Sequence, residues 1–103
     1  SYVDPAPGPT RRLQAAFVDA RVVRAEYVRE DGARSRRRLE PHALVINAPA
    51  WYLVAFDHLR GAPRTFRLDR FAAVEIEDAS FRPRAAELVR ALGEEAGVTL
   101  DRV

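Results

Sequence analysis

Between Arg21 and Ile76 the chain alternates short period-two apolar runs with tight turn signals, and that rhythm leaves few folds open. Val23, Ala25 and Tyr27 alternate with Arg24 and Glu26, so Arg21–Arg29 reads as a half-exposed strand. Glu30-Asp31-Gly32 closes it, because Asp-Gly favours the primed turns whose twist matches the flanking strands. A second strand is predicted from Arg34 to Leu39, resuming after Pro41 through Ile46; proline lacks an N–H, so an edge or a bulge is expected there. Asn47-Ala48-Pro49 reads as a turn, Trp51–Asp57 as a third strand, Arg60-Gly61-Ala62-Pro63 as a turn and Arg64–Leu68 as a fourth strand. A short fifth strand is expected at Ala72–Ile76, with Ala72, Val74 and Ile76 inward and Glu75 and Glu77 outward. Short strands joined by tight turns bury their edges by curling into a small antiparallel barrel.

Helices flank this β region. Leu13, Ala16, Phe17 and Ala20 recur at helical spacing, with Thr10 placed to cap the turn before them. A second helix is predicted from Pro83 to about Ala96, with Ala85, Leu88, Val89 and Leu92 on one face and Gly97 beyond its end. Whether that face packs on the barrel or on a partner is open. Residues 1–10, with three prolines and a glycine, read as an extended lead-in or a linker from an upstream domain. The expected division is therefore 1–10 lead-in, 11–80 helix plus barrel, and 81–103 C-terminal helix. The fold class is mainly β, with α+β character.

A chain of 103 residues makes one domain with one core. The absence of cysteine excludes disulfides, thiolate metal sites and cysteine nucleophiles, and fits a cytoplasmic location. Residues 1–9 hold no apolar core of a signal peptide, and the longest apolar run, Ala48–Phe56, is too short to span a bilayer, so no membrane is expected. The net charge of +2 conceals an uneven distribution: residues 1–33 are neutral, 34–70 carry +5 and 71–103 carry −3. A basic middle third is the footprint of a phosphate-bearing partner. Every one of the 17 cations is arginine, a planar, permanently charged group that binds phosphate bidentately and stacks on bases.

Catalytic chemistry finds no support. The two histidines, His42 and His58, have no ligand-spaced companions, the serines have no glycine elbow, and no glycine loop could cradle a phosphate. No enzyme activity and no cofactor or metal is expected. The arginines are more informative. Arg37 shares a strand face with Leu39, and Arg64 and Arg70 share one with Phe66 and Leu68, so each must pair with a carboxylate such as Asp57 or Asp69, sit at a barrel mouth, or line a cleft. Arg67 faces the other way, with Thr65. Trp51 and Tyr52 point to opposite faces: either one is core while the other packs under a helix, or one faces a ligand.

The run Arg37-Arg38-Leu39-Glu40-Pro41, then Trp51-Tyr52-Leu53-Val54-Ala55, then Arg64-Thr65-Phe66-Arg67-Leu68-Asp69-Arg70 resembles the WYL domain, over about residues 12–80. That resemblance implies an Sm-like (SH3-like) five-stranded barrel with an N-terminal helix. It also implies a ligand-sensing or nucleic-acid-binding module of bacterial transcription regulators in DNA-damage, phage-defence and CRISPR systems. The implied partners are single-stranded DNA or RNA, or a small nucleotide effector. Carried over by position, the implied contact residues are Tyr27, Arg37, Trp51, Tyr52, Arg60, Arg64, Arg67 and Arg70, with His42 as an addition. Family regulators normally carry an upstream winged helix-turn-helix and often a C-terminal extension, neither of which is among these 103 residues. An attached or partner DNA-binding domain is therefore expected, or else a free-standing WYL protein. The alternative function is a protein–protein or dimerisation module without a ligand of its own, since Trp, Tyr and Arg are also the residues of interface hot spots.

Overall fold

A computed structural model of the chain describes residues 8–95. Helix α1 runs Gly8–Asp19, followed by strands β1 (Arg21–Val28), β2 (Arg34–Asn47), β3 (Ala50–Asp57) and β4 (Ala62–Arg67). A 3₁₀ turn at Leu68–Arg70 leads into β5 (Phe71–Ser80), and helix α2 spans Ala85–Glu95. The five strands form one antiparallel sheet in the order β4-β3-β2-β1-β5.

The helix begins two residues before the Thr10 cap expected from sequence, because Pro9 already has the φ that a first helical turn needs. Residues 8–10 of the expected lead-in are thus helical, and residues 1–7 lie outside the described region, as does residue 96 at the expected end of α2. Ala20 does not extend the apolar stripe. It turns to φ 54°, ends α1, and its carbonyl accepts the Phe81 amide at 3.1 Å. The β1–β2 hairpin forms where predicted, but its turn is not of the primed kind. The Gly32 amide donates to the Arg29 carbonyl at 2.9 Å across Glu30-Asp31, neither of which has a positive φ. Gly32 follows at φ 86°, with the Arg29 amide donating to the Ala33 carbonyl at 2.8 Å.

Pro41 sits in a register shift between Pro41 and Ala43 in the β2–β3 ladder. The β1–β2 ladder ends at Val23–Leu39, so Pro41 lies where β2 has only β3 as a partner and no N–H is missed on the other side. β5 is longer than expected. A shift between Glu26 and Tyr27 in the β1–β5 ladder brings Phe71 rather than Ala72 into the core, leaving Ala72 exposed and Ile76 partly so, while Val74 is buried as predicted.

One face of the sheet is packed beneath α1. Leu13 and Ala16 of the helix meet Val23, Ala25, Leu39, Leu53, Ala55, Phe66, Leu68, Phe71 and Val74 in a single core. The opposite face is covered only in part, by α2 against β2, β3 and β4.

The expected barrel closure is not present as a strand ladder: among the described residues β4 pairs with β3 alone and β5 with β1 alone. Instead the 3₁₀ turn carries the chain from β4 to β5, and rings bridge the opening. Tyr27 lies edge-on to Phe66 and to Phe71, each at 5.0 Å between centroids, and its hydroxyl accepts the Arg67 amide at 3.1 Å. A strand of only six residues ends too early to ladder with β5, and aromatic packing fills the gap.

Candidate functional site

Parity places Arg37, Asp57 and Arg64 on the α1 side of the sheet, and the three have different fates. Asp57 is fully buried and Arg37 nearly so; Arg37 Nη1 donates to Asp57 Oδ2 at 2.7 Å, and its Nε to Ser35 Oγ at 3.1 Å. The second Asp57 oxygen accepts the Leu59 amide at 3.0 Å. This pair is fully satisfied, which is the condition under which a buried ion pair is tolerable. Arg64, opposite Ala55 in register, has no carboxylate partner among the described residues. Its guanidinium carbon lies 5.8 Å from the Phe66 ring centroid, a cation–π contact that leaves the charge unneutralised.

The aromatic pair of the tripeptide also divides. Trp51 is 47% exposed and faces Ile46 across the ladder, which is 61% exposed, so the β2–β3 end presents an apolar tip. Tyr52 points to the opposite face, where it lines a cleft of about 290 Å³ with Val45, Val54, Thr65, Val89 and Leu92. It is the residue that packs beside a helix. Arg67 stands opposite Tyr52 but is held by Asp69, with Nε–Oδ1 3.0 Å and Nη2–Oδ2 2.7 Å. This fork raises the Arg67 pKa and lowers that of Asp69. Arg60 lies exposed in the β3–β4 turn, and Arg70 is half-buried in the 3₁₀ turn.

His42 is buried in a polar seam at the start of α2. Its Nε2 meets Glu40 Oε1 at 3.0 Å, and its Nδ1 accepts the Arg84 amide at 3.1 Å. Phe81 packs on the ring at 4.5 Å. The other Glu40 oxygen meets His58 Nε2 at 2.9 Å, and Arg38 Nη1 reaches His58 Nδ1 at 3.4 Å. Burial pushes the His42 pKa down, more strongly than the Glu40 carboxylate raises it. Burial would raise Glu40, but hydrogen bonds from His42 and His58 outweigh it and hold the carboxyl below its ordinary range.

The nine positions implied by the sequence do not converge on one pocket. Tyr27 and Arg37 are engaged inside the fold, and His42 is engaged in the seam. Trp51 and Arg64 share the α1-side face, four residues apart along the sheet, or about 13 Å.

Sequence reasoning passed over the outer face of β5, β1 and the first half of β2. There a groove of about 950 Å³ is lined by Arg12, Arg24, Arg36, Arg38, Glu26 and Glu75 among others. Its signal was present in the period-two run Arg34–Arg38, which sends Arg34, Arg36 and Arg38 to the side opposite Arg37. Among the described residues no cluster of His, Asp and Glu has the geometry to hold a metal ion, and no helix is long and apolar enough to cross a membrane.

Comparison with known proteins bears on this geometry. The family model described as the WYL domain matches residues 10–76. Among solved structures, the chain is similar to proteasome accessory factor B/C (PafBC) of Arthrobacter aurescens, with 31% identity, 92% of this chain covered and a TM-score of 0.71. The chain spans 15% of the length of that protein. Helix α2, at Ala85–Glu95, lies beyond the family match.

Proposed function

The chain belongs to the WYL-domain family, matched over residues 10–76, and from that premise we propose that it is the sensing module of a transcription regulator. Its role is regulatory rather than catalytic. The ligand is a single-stranded nucleic acid or a nucleotide-like anion, taken up on the Arg64–Trp51 side of the sheet. The observation that carries this reading is Arg64: a half-buried arginine on an apolar face, without a carboxylate partner among the described residues, is poised for an incoming phosphate. Trp51 supplies an exposed ring for stacking, and Arg60 and Arg70 add charge. Tyr52 and Arg67 lie on the other, α2 side of the sheet and meet the ligand only where it wraps the β4 edge. Tyr27, Arg37 and His42 hold the scaffold. The barrel-like curl bridged by the Tyr27, Phe66 and Phe71 rings is the counterpart of an Sm-like closure in this reading. The signal passes to an attached or partner DNA-binding domain.

The test is fluorescence anisotropy of labelled single-stranded DNA and RNA across a salt series. Salt-sensitive binding that drops on Arg64→Glu and weakens on Trp51→Ala is the expected result. Undiminished binding by Arg64→Glu would sink the reading. A second reading rests on the exposed cross-strand pair Ile46 and Trp51: a docking or dimerisation surface. It gains if Trp51→Ala abolishes concentration-dependent association while no nucleic acid binds.

A further inference from the structure

The outer face of β5-β1-β2 carries an arrangement of charge that the fold itself does not need. In the β1–β2 ladder Arg24 stands directly opposite Arg38, a like-charge pair that a sheet disfavours. Both side chains turn to one carboxylate, Glu77, at 3.5 Å from Arg24 and 2.9 Å from Arg38. One negative charge thus serves two positive ones. The neighbouring pair in the ladder is Glu26 opposite Arg36, and here the carboxylate is taken by Arg34 at 2.6 Å. Arg36 is left exposed and without an ion-pair partner among the described residues. It sits two residues from Arg38 on the same face, about 7 Å along the strand. Arg12 of α1 reaches the same groove around the β5 edge, donating to the Val74 carbonyl at 3.1 Å.

We infer that Arg24, Arg36 and Arg38 form a second anion site, on the face opposite Arg64, that takes the phosphodiester backbone of a nucleic acid. Guanidinium groups on adjacent strands offer several N–H donors, and a phosphate between them relieves the Arg24–Arg38 opposition that Glu77 satisfies by half. The groove has no aromatic lining residue, so it offers no base stacking and no reading of sequence. It adds affinity and salt dependence rather than selectivity. Glu75, exposed on β5 opposite Arg24, borders the site and limits how far a strand can run toward that edge. The choice of a nucleic acid over another anion rests on the sensor reading above, whereas the location of the site rests on the charge pairing alone.

The test uses the 103-residue chain, a labelled single-stranded oligonucleotide, and anisotropy from low to moderate salt. Arg36→Glu should bind roughly tenfold more weakly and, because it sets a second carboxylate opposite Glu26, unfold at a slightly lower temperature, whereas Arg36→Ala should unfold at the wild-type temperature. Arg36→Ala should flatten the salt slope by about 0.7, the loss of one phosphate contact on a single strand. Arg64→Glu is the separate control for the sensor reading. If Arg64→Glu weakens binding and neither Arg36 variant does, the second site is overturned and the first stands. If only the Arg36 variants weaken it, the outer groove is the principal site and the Arg64 reading fails. Competition by a poly-glutamate peptide at lower concentration than by unlabelled oligonucleotide would overturn the assignment to phosphodiester and mark the groove as a protein-docking surface.

Discussion

The two faces of this sheet are finished differently. Beneath α1, Leu13, Leu39, Leu53 and Val23 are fully buried, and the buried charges Arg37 and Asp57 match each other, with no buried side-chain polar atom left without a partner among the described residues. Beneath α2, Leu88 and Val54 are buried, but Val89, Leu92, Tyr52 and Thr65 border an open cleft, and the helix is fastened at its start by the Glu40–His42 seam. Family membership follows the same division, since the match takes in α1 and stops before α2. The α1 face holds the continuous core, and α2 closes the other face only in part.

The largest test of this contrast is Asp57→Ala. Leaving Arg37 buried and unpaired should cost about 3–5 kcal/mol, read as a drop in the denaturant midpoint of the whole domain. A loss under about 1 kcal/mol would mean that the pair is wetter than its burial implies. Next come two leucines, one per face. Leu53→Ala should destabilise globally toward the upper part of the roughly 2–5 kcal/mol range. Leu88→Ala should fall near the lower end, because an open cleft can collapse around the gap, and amide exchange should rise in α2 while the strands stay protected. Equal global losses from the two variants would erase the distinction between the faces.

The smallest effect is that of pH. The His42 pKa is lowered in the folded state, so the unfolded chain binds the proton more readily; its contribution is fully present above about 6.5 and is lost as pH falls below that value. Glu40 is also lowered, so its contribution persists above 4.5 and is lost at more acid pH. Thermal melts from pH 7.5 to 4 should decline in that order, and His42→Gln should remove the first decline. A profile unchanged by that substitution would separate α2 from the titration of the seam.

Much of the α1 face was legible in the sequence, because strand alternation at Val23, Ala25 and Tyr27 and the Asp31-Gly32 turn are local signals. The bulge at Pro41 was legible for the same reason. The length of β5 was not: Glu77-Asp78-Ala79-Ser80 has no apolar rhythm and is held by pairing with β1 and by Arg21, whose Nε donates to the Glu77 carbonyl at 2.8 Å. The use of Arg37 was legible in part: its parity with Leu39 called for a carboxylate and offered Asp57, but only the β2–β3 register decides that pairing over a barrel mouth or a cleft. The outer groove was half legible. Parity exposes Arg34, Arg36 and Arg38, but which carboxylate each receives is set by a register between strands distant in sequence.

The Glu40 seam has one further consequence. In the neutral form of each ring, with His42 Nδ1 accepting the Arg84 amide and His58 Nδ1 3.4 Å from an Arg38 donor, the proton sits on Nε2, aimed at the same carboxylate. Glu40 thereby selects one tautomer in two rings at once. Nitrogen-15 chemical shifts of the two side chains would report the attachment of α2 as a matched pair of Nε2–H signals, an internal reporter written into the wild-type chain without any label beyond the isotope.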